Sequence, residues 1–177
     1  LQTWQIGDVK ITKVKEIEVS GAVTWLLPDA TAENLAREEW LQPHFADVDG
    51  RACMSVHALV IESDQRRIMV DTCVGNDKQR RIPDWNLRTG PFLDDLAGAG
   101  FPAASIDTVL CTHLHVDHVG WNTMWVDGEW RPTFPNARYL FAKKEWDYWK
   151  EDPDPSLGAV VQDSVRPIVD AGLADLV

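Results

Sequence analysis

The sequence predicts an α/β domain built around a mixed sheet, and three observations carry that reading. Strand-like alternation recurs over residues 4–19, 55–63, 67–71, 106–112 and 139–142. Short amphipathic helical stretches fall between and after the later strands, which is the order of an α/β chain. Its 177 residues, 45% hydrophobic and 25% charged, suit one core rather than two, so residues 1–177 are expected to form a single domain.

Taken in order, Trp4, Ile6, Val9, Ile11, Val14, Ile17 and Val19 alternate about a Gly7-Asp8 turn, the pattern of a hairpin. Residues 20–50 read as a long loop, interrupted by a short helix capped by Thr31 and running toward Trp40. Two strands follow, joined by a turn at Ser63-Asp64-Gln65. Residues 91–99 place Phe92, Leu93, Leu96 and Ala97 at helical spacing, closed by Gly98 and Gly100. A compact apolar strand spans Ile106–Thr112, another Tyr139–Ala142, and Lys143–Lys150 reads as helix. The last helix is expected from an N-cap at Ser156 through Leu157, Val160, Val161, Val165, Ile168 and Val169, interrupted by Pro167. The chain then ends at Leu176-Val177 directly after this helix, an ending that reads as an interruption.

Charge and composition narrow the function. The net charge of −11 repels phosphate backbones and argues against nucleic acid as a partner. No apolar run approaches membrane-spanning length, and no charged-then-apolar leader opens the chain, which begins at Leu1. Cys53, Cys73 and Cys111 are odd in number and widely spaced; no C-x-x-C pair suggests a structural zinc or a redox dithiol. A reduced, cytoplasmic protein is the expectation. The run Lys78-Gln-Arg-Arg81 reads as a solvated basic face or a partner contact.

One segment carries chemistry. Thr112-His-Leu-His-Val-Asp-His-Val-Gly120 holds three of the five histidines and an aspartate within six residues, directly after an apolar strand. Imidazole and carboxylate suit zinc and its first-row neighbours. His113 and His115, two apart, share a direction in extended backbone, whereas Asp117 and His118 diverge unless the chain turns. The loop can thus present two pairs of ligands to two ions. Nearby, Trp121, Trp125 and Trp130 follow the motif, and Trp25 and Trp40 lie in the early loop. Trp25 and Trp121 are expected either to line an apolar substrate pocket or to seal the core. Trp146 and Trp149 are expected in the core. His57, on a strand, is expected to make a local hydrogen bond, and His44 to face solvent.

The H-x-H-x-D-H segment, as His113, His115, Asp117 and His118, resembles the metal motif of the metallo-β-lactamase superfamily. Arg67-Ile-Met-Val-Asp-Thr72 resembles the family's strand ending in aspartate, and Ile106-Asp-Thr-Val-Leu-Cys-Thr-His113 the strand leading into its motif. Phe134-Pro-Asn-Ala137 and Lys144-Glu-Trp146 are similar to its next segment. The N-terminal hairpin, the long loop and the Pro167 helix most resemble the methyl parathion hydrolase and lactonase-like branch.

The resemblance implies an αββα sandwich of two similar halves, of which this chain supplies mainly the first. It implies two divalent ions, zinc foremost, with iron, manganese or cobalt as alternatives. His113, His115, Asp117 and His118 are the implied metal ligands, and Asp71 the implied support behind them. It further implies a metal-activated water that attacks a small ester, lactone or organophosphate, with Asp117 as ligand and proton carrier. A small-molecule substrate follows, and a homo-oligomer is compatible. The family's remaining ligands, two histidines and a bridging aspartate, lie downstream of the motif; no histidine follows His118, and Asp152, Asp154, Asp163, Asp170 and Asp175 stand in no recognisable bridging context. A nuclease of the same superfamily, or a metal-poor half-domain, is the alternative. The family follows its Asp-Thr pair with glycine, where this chain has Cys73, with Gly75 two residues on.

Overall fold

The computed structural model describes residues 1–21, 23–151 and 158–177. Ser156 and Leu157, the expected start of the last helix, lie outside the described residues, as do Asp152 and Asp154. The chain divides into two compact units: Leu1–Glu16 with His57–Val177, and Ile17–Val56.

The larger unit is organised by a seven-stranded mixed sheet. In chain order the strands are β1 (Gln2–Ile6), β2 (Val9–Gly21), β3 (Ala52–Ser63), β4 (Arg66–Val70), β5 (Thr108–Leu110), β8 (Arg138–Phe141) and β9 (Ala174–Leu176), and they neighbour one another in that order. A separate hairpin is formed by β6 (Thr123–Val126) and β7 (Glu129–Pro132). β1 and β2 pair antiparallel about Gly7-Asp8, and β3 and β4 about Asp64-Gln65, both of which adopt positive φ as a tight hairpin turn requires. From β4 onward, β5, β8 and β9 pair in parallel, so helices and loops must carry the chain back each time.

Register explains the core. Val60 pairs with Met69, Met69 with Val109, and Val109 with Tyr139. All four are fully buried, a continuous apolar row across four strands. One residue along, the opposite face carries Leu59, Val70, Leu110 and Leu140 in register, flanked by Ile61 and Ile68. This second apolar row is only half-buried. Helix α2 (Phe92–Gly98) buries Phe92 and Leu96, and α3 (Lys143–Trp149) follows β8.

The terminal helix differs from a simple kink. Val161–Val165 form a π-helical turn that runs into α4 (Arg166–Asp170), with Pro167 in its first turn. Pro167 has no N–H to give the carbonyl of Asp163 four residues back, which frees that oxygen. The Thr123 hydroxyl and the Lys78 ammonium donate to it instead. The chain does not end on a helix, as its sequence suggests: Ala174–Leu176 form β9, a strand of three residues that alternation cannot reveal.

The basic run near residue 80 also departs from expectation. Lys78 is 0% exposed and Arg80 5%. Arg80 donates through both terminal nitrogens to the Asp163 carboxylate, at 2.7 and 2.8 Å. Lys78 Nζ donates to Thr123 Oγ1 at 2.8 Å and lies 3.6 Å from the Trp130 ring centre. Two of the four residues are therefore interior cations with built partners, not a solvated face.

In the smaller unit, helix α1 (Ala32–Arg37) is capped by Thr31, whose hydroxyl accepts from the Asn34 N–H. The Asp47 carboxylate accepts from the Asp49 and Arg51 amides and from the Arg51 guanidinium. Trp25 and Trp40 are both 71% exposed, and His44 is exposed.

Candidate metal centre

The site grows from the end of β4 and the loop after β5. Asp71 follows β4 in a left-handed conformation, φ 59°, and its N–H donates to the Leu110 carbonyl. The turn aims the Asp71 carboxylate at the start of the histidine loop. Thr112 donates its N–H to Asp71 Oδ1 at 2.8 Å and its hydroxyl to Oδ2 at 2.9 Å. His118 Nδ1 donates to the same Oδ2 at 2.8 Å.

These bonds set the histidine tautomers. His118 commits Nδ1–H to Asp71, which leaves Nε2 for another partner. The Thr112 hydroxyl has a single proton, already given to Asp71, so it accepts from His113 Nδ1 at 3.1 Å. His113 Nε2 is left with its lone pair. One carboxylate thereby orients two imidazoles, one of them through a threonine.

The motif residues come together. The His113 ring lies 4.5 Å from that of His115 and 3.9 Å from that of His118, centre to centre. His118 Nε2 is 3.5 Å from Asp117 Oδ2, so these two donors converge. Burial disfavours the charged form of His118, but the carboxylates of Asp117 and Asp71 outweigh it and push the imidazole up to about 9. Burial acts to raise Asp117, and the His118 bond and charge overcome it, holding the carboxyl below its usual range. Burial, then the neighbouring His118 and His115, lower His113.

The donor set fits a metal ion in pairs and not in full. Asp117 with His118, and His113 with His115, are chemically suited to divalent cations. Among the described residues, no three His, Cys, Asp or Glu side chains assemble into a group able to hold one.

Other residues were not legible in advance. The Leu114 N–H donates to Glu145 Oε2 on α3, and Trp149 stands edge-on to His115. Trp146 and Trp149, expected in the core, are half-buried. Glu16 of β2 accepts from the Val74 and Gly75 amides and from the Trp121 indole, at 2.8, 3.1 and 2.7 Å. Trp121 is 4% exposed and stacks on Phe92 with ring centres 5.9 Å apart, a packed position in the core. Burial raises the Glu16 carboxyl, against the pull of those three donors. His57 is half-buried on β3.

A family model of the metallo-β-lactamase superfamily matches residues 51–176, and the chain belongs to that superfamily. Solved structures of the same fold include a probable metal-dependent hydrolase from Staphylococcus aureus, at 20% identity and TM-score 0.69, covering 98% of this chain and 60% of that one. The hydrolase AbOPH of the β-lactamase superfamily matches at 23% identity and TM-score 0.69, covering 99% and 60%. AidC, a dizinc quorum-quenching lactonase, matches at 19% identity and TM-score 0.66, again covering 99% and 60%. The likeness is one of fold, and the chain spans about 60% of the length of these proteins. No curated protein matches it. Among the described residues no helix is long and apolar enough to cross a membrane.

Proposed function

We propose that the protein is a metal-dependent hydrolase that acts on a small ester, lactone or organophosphate. The observation that carries this reading is the Asp71 network, which engages Nδ1 of His118 directly and Nδ1 of His113 through Thr112 and leaves both Nε2 atoms outside it, that of His118 3.5 Å from Asp117. His113 and His115 would hold one divalent ion, Asp117 and His118 a second, with zinc the preferred metal. Such ions supply Lewis acidity and activate water near neutral pH. Asp71 holds the two imidazoles in the tautomer that binds, and cation binding at His118 releases its proton. The fold shared with the hydrolase AbOPH supports hydrolysis, and the fold shared with the dizinc lactonase supports a lactone among the substrates. Three free cysteines, two of them buried, fit a reducing, cytoplasmic setting.

The proposal includes residues 1–177 as one metallo-β-lactamase-like domain completed by a second αβ half that brings two histidines and a bridging aspartate. The half-buried apolar row Leu59, Val70, Leu110 and Leu140 suits a covering layer. The absence of a three-ligand group among the described residues favours, as a second reading, a metal-poor half-domain without activity.

Metal content by elemental analysis, with hydrolysis of aryl esters and lactones, separates the two. Asp117→Asn is expected to lose bound zinc and turnover together. Full zinc with lost turnover would reject the ligand role, and a 177-residue chain that is monomeric and active with two ions would reject the second half.

A further inference from the structure

We propose that α3 is a positioning element for His115, acting through Glu145 and Trp149. Asp71 reaches Thr112 and His118 directly and His113 through Thr112. His115 lies beyond that network, on the exposed crest of the loop. Apart from the neighbouring His113 ring, its contacts come from α3. Glu145 Oε2 accepts from the Leu114 N–H at 3.0 Å, which fixes the peptide between His113 and Leu114. The same oxygen accepts from Trp149 Nε1–H at 3.2 Å. The Trp149 ring then stands at 84° to the His115 imidazole, centres 5.5 Å apart.

Glu145 and Trp149 are four residues apart and so share one face of α3. The carboxylate links two things with one atom: the backbone of the loop and the indole that limits the His115 ring. Leu114, buried between the two histidines, anchors the same peptide from its side chain. An exposed imidazole on a loop samples several rotamers, and each rotamer lost in advance is one that ligand binding need not freeze. The arrangement therefore prepares His115 to act with His113, while Asp71 prepares His118.

This rests on the metal-site reading above, so the test has two independent readouts on the 177-residue chain. The first is zinc affinity in competition with a chromophoric chelator. The second is the NMR resonance of the His115 ring proton, which the Trp149 ring current shifts whether or not metal is present. Glu145→Ala and Trp149→Leu are expected to weaken one zinc-binding step about tenfold and leave the other unchanged. Glu145→Gln, whose amide oxygen still accepts from Leu114, is expected to retain most of the affinity. Trp149→Leu is expected to return the His115 resonance toward its free value. If Glu145→Ala fails to fold, Trp149→Leu and Glu145→Gln carry the test. Wild-type affinity in both steps with an unmoved His115 resonance would overturn the proposal. A wild-type chain that binds no zinc would instead reject the metal reading, and the resonance alone would then decide the clamp.

Discussion

Gly120 lies against Val74 backbone to backbone: a Cβ on Gly120 would stand 1.9 Å from the Val74 carbonyl oxygen. The Gly120 N–H donates to the Cys73 carbonyl at 2.7 Å, and the Trp121 N–H to that of Thr72 at 2.8 Å. In return the Thr72 N–H donates to the His118 carbonyl at 2.8 Å. The turn that carries Asp71 and the end of the histidine loop are therefore joined along their main chains.

Gly120→Ala has no room for its methyl group without separating those chains. It is expected to cost about 3 kcal/mol or more, the range of severe overpacking. Thermal unfolding followed by circular dichroism measures it; an unchanged Tm would mean that the contact yields easily.

Cys73 occupies the place where the family carries glycine, and it does so in the left-handed region, φ 56°, with no exposure. Cys73→Gly relieves about 1 kcal/mol of backbone strain. It loses a similar amount, about 1 kcal/mol, through chain entropy and the missing buried side chain. The substitution is expected to be close to neutral, while Cys73→Val, β-branched and larger, is expected to cost about 2–3 kcal/mol. Urea midpoints distinguish the two, and equal losses would disprove the strain argument.

Lys78 makes stability depend on pH. Burial lowers its pKa from 10.5 to about 7, against the attraction of Asp163. Between those values the unfolded chain holds the proton and the folded chain does not. Stability therefore rises with pH across this window, by about 1.4 kcal/mol per unit from this group. Below about pH 7 both states are protonated and the penalty is constant. Lys78→Met removes the slope, so the wild type is expected to gain on the variant as pH climbs from about 7 to about 10. Parallel denaturation midpoints across that range would show that the ammonium stays charged inside.

Asp71→Asn keeps the shape of the side chain but replaces one accepting oxygen with a donor. The bonds from Thr112 and His118 cannot all survive. Zinc affinity is expected to fall about 10- to 100-fold, with a smaller loss of stability. Competition titration beside thermal unfolding checks this; a large Tm loss at unchanged affinity would make Asp71 purely structural.

Much of the site was legible because its donors are adjacent in sequence. His113, His115, Asp117 and His118 group by sequence spacing alone, whereas Asp71 enters only through the resemblance. The strands were legible where alternation ran long enough, as in β2 and β3. Lys78 and Arg80 were not, because a cation becomes an interior residue only when its partner arrives, and Asp163 lies 83 positions from Arg80. The β6–β7 hairpin turns at Asp127-Gly128, but its two strands are four residues each, too short for alternation to mark them. The interruption at Pro167 was legible; the π-turn was not, since its form depends on which groups take up the freed Asp163 carbonyl.

The distances in sequence between the histidine loop and its supports also order events in time. The β1–β2 hairpin closes over a few residues, but Thr112 must find Asp71 from 41 positions earlier and Leu114 must find Glu145 from 31 positions later. Parallel strands gain their pairing only after these long loops have closed, which makes them slow to form. On a growing chain the loop emerges with half of its scaffold still unsynthesised. Its order is completed only after α3 has been made, so slow amide exchange at Thr112 and Leu114 marks molecules that have finished folding.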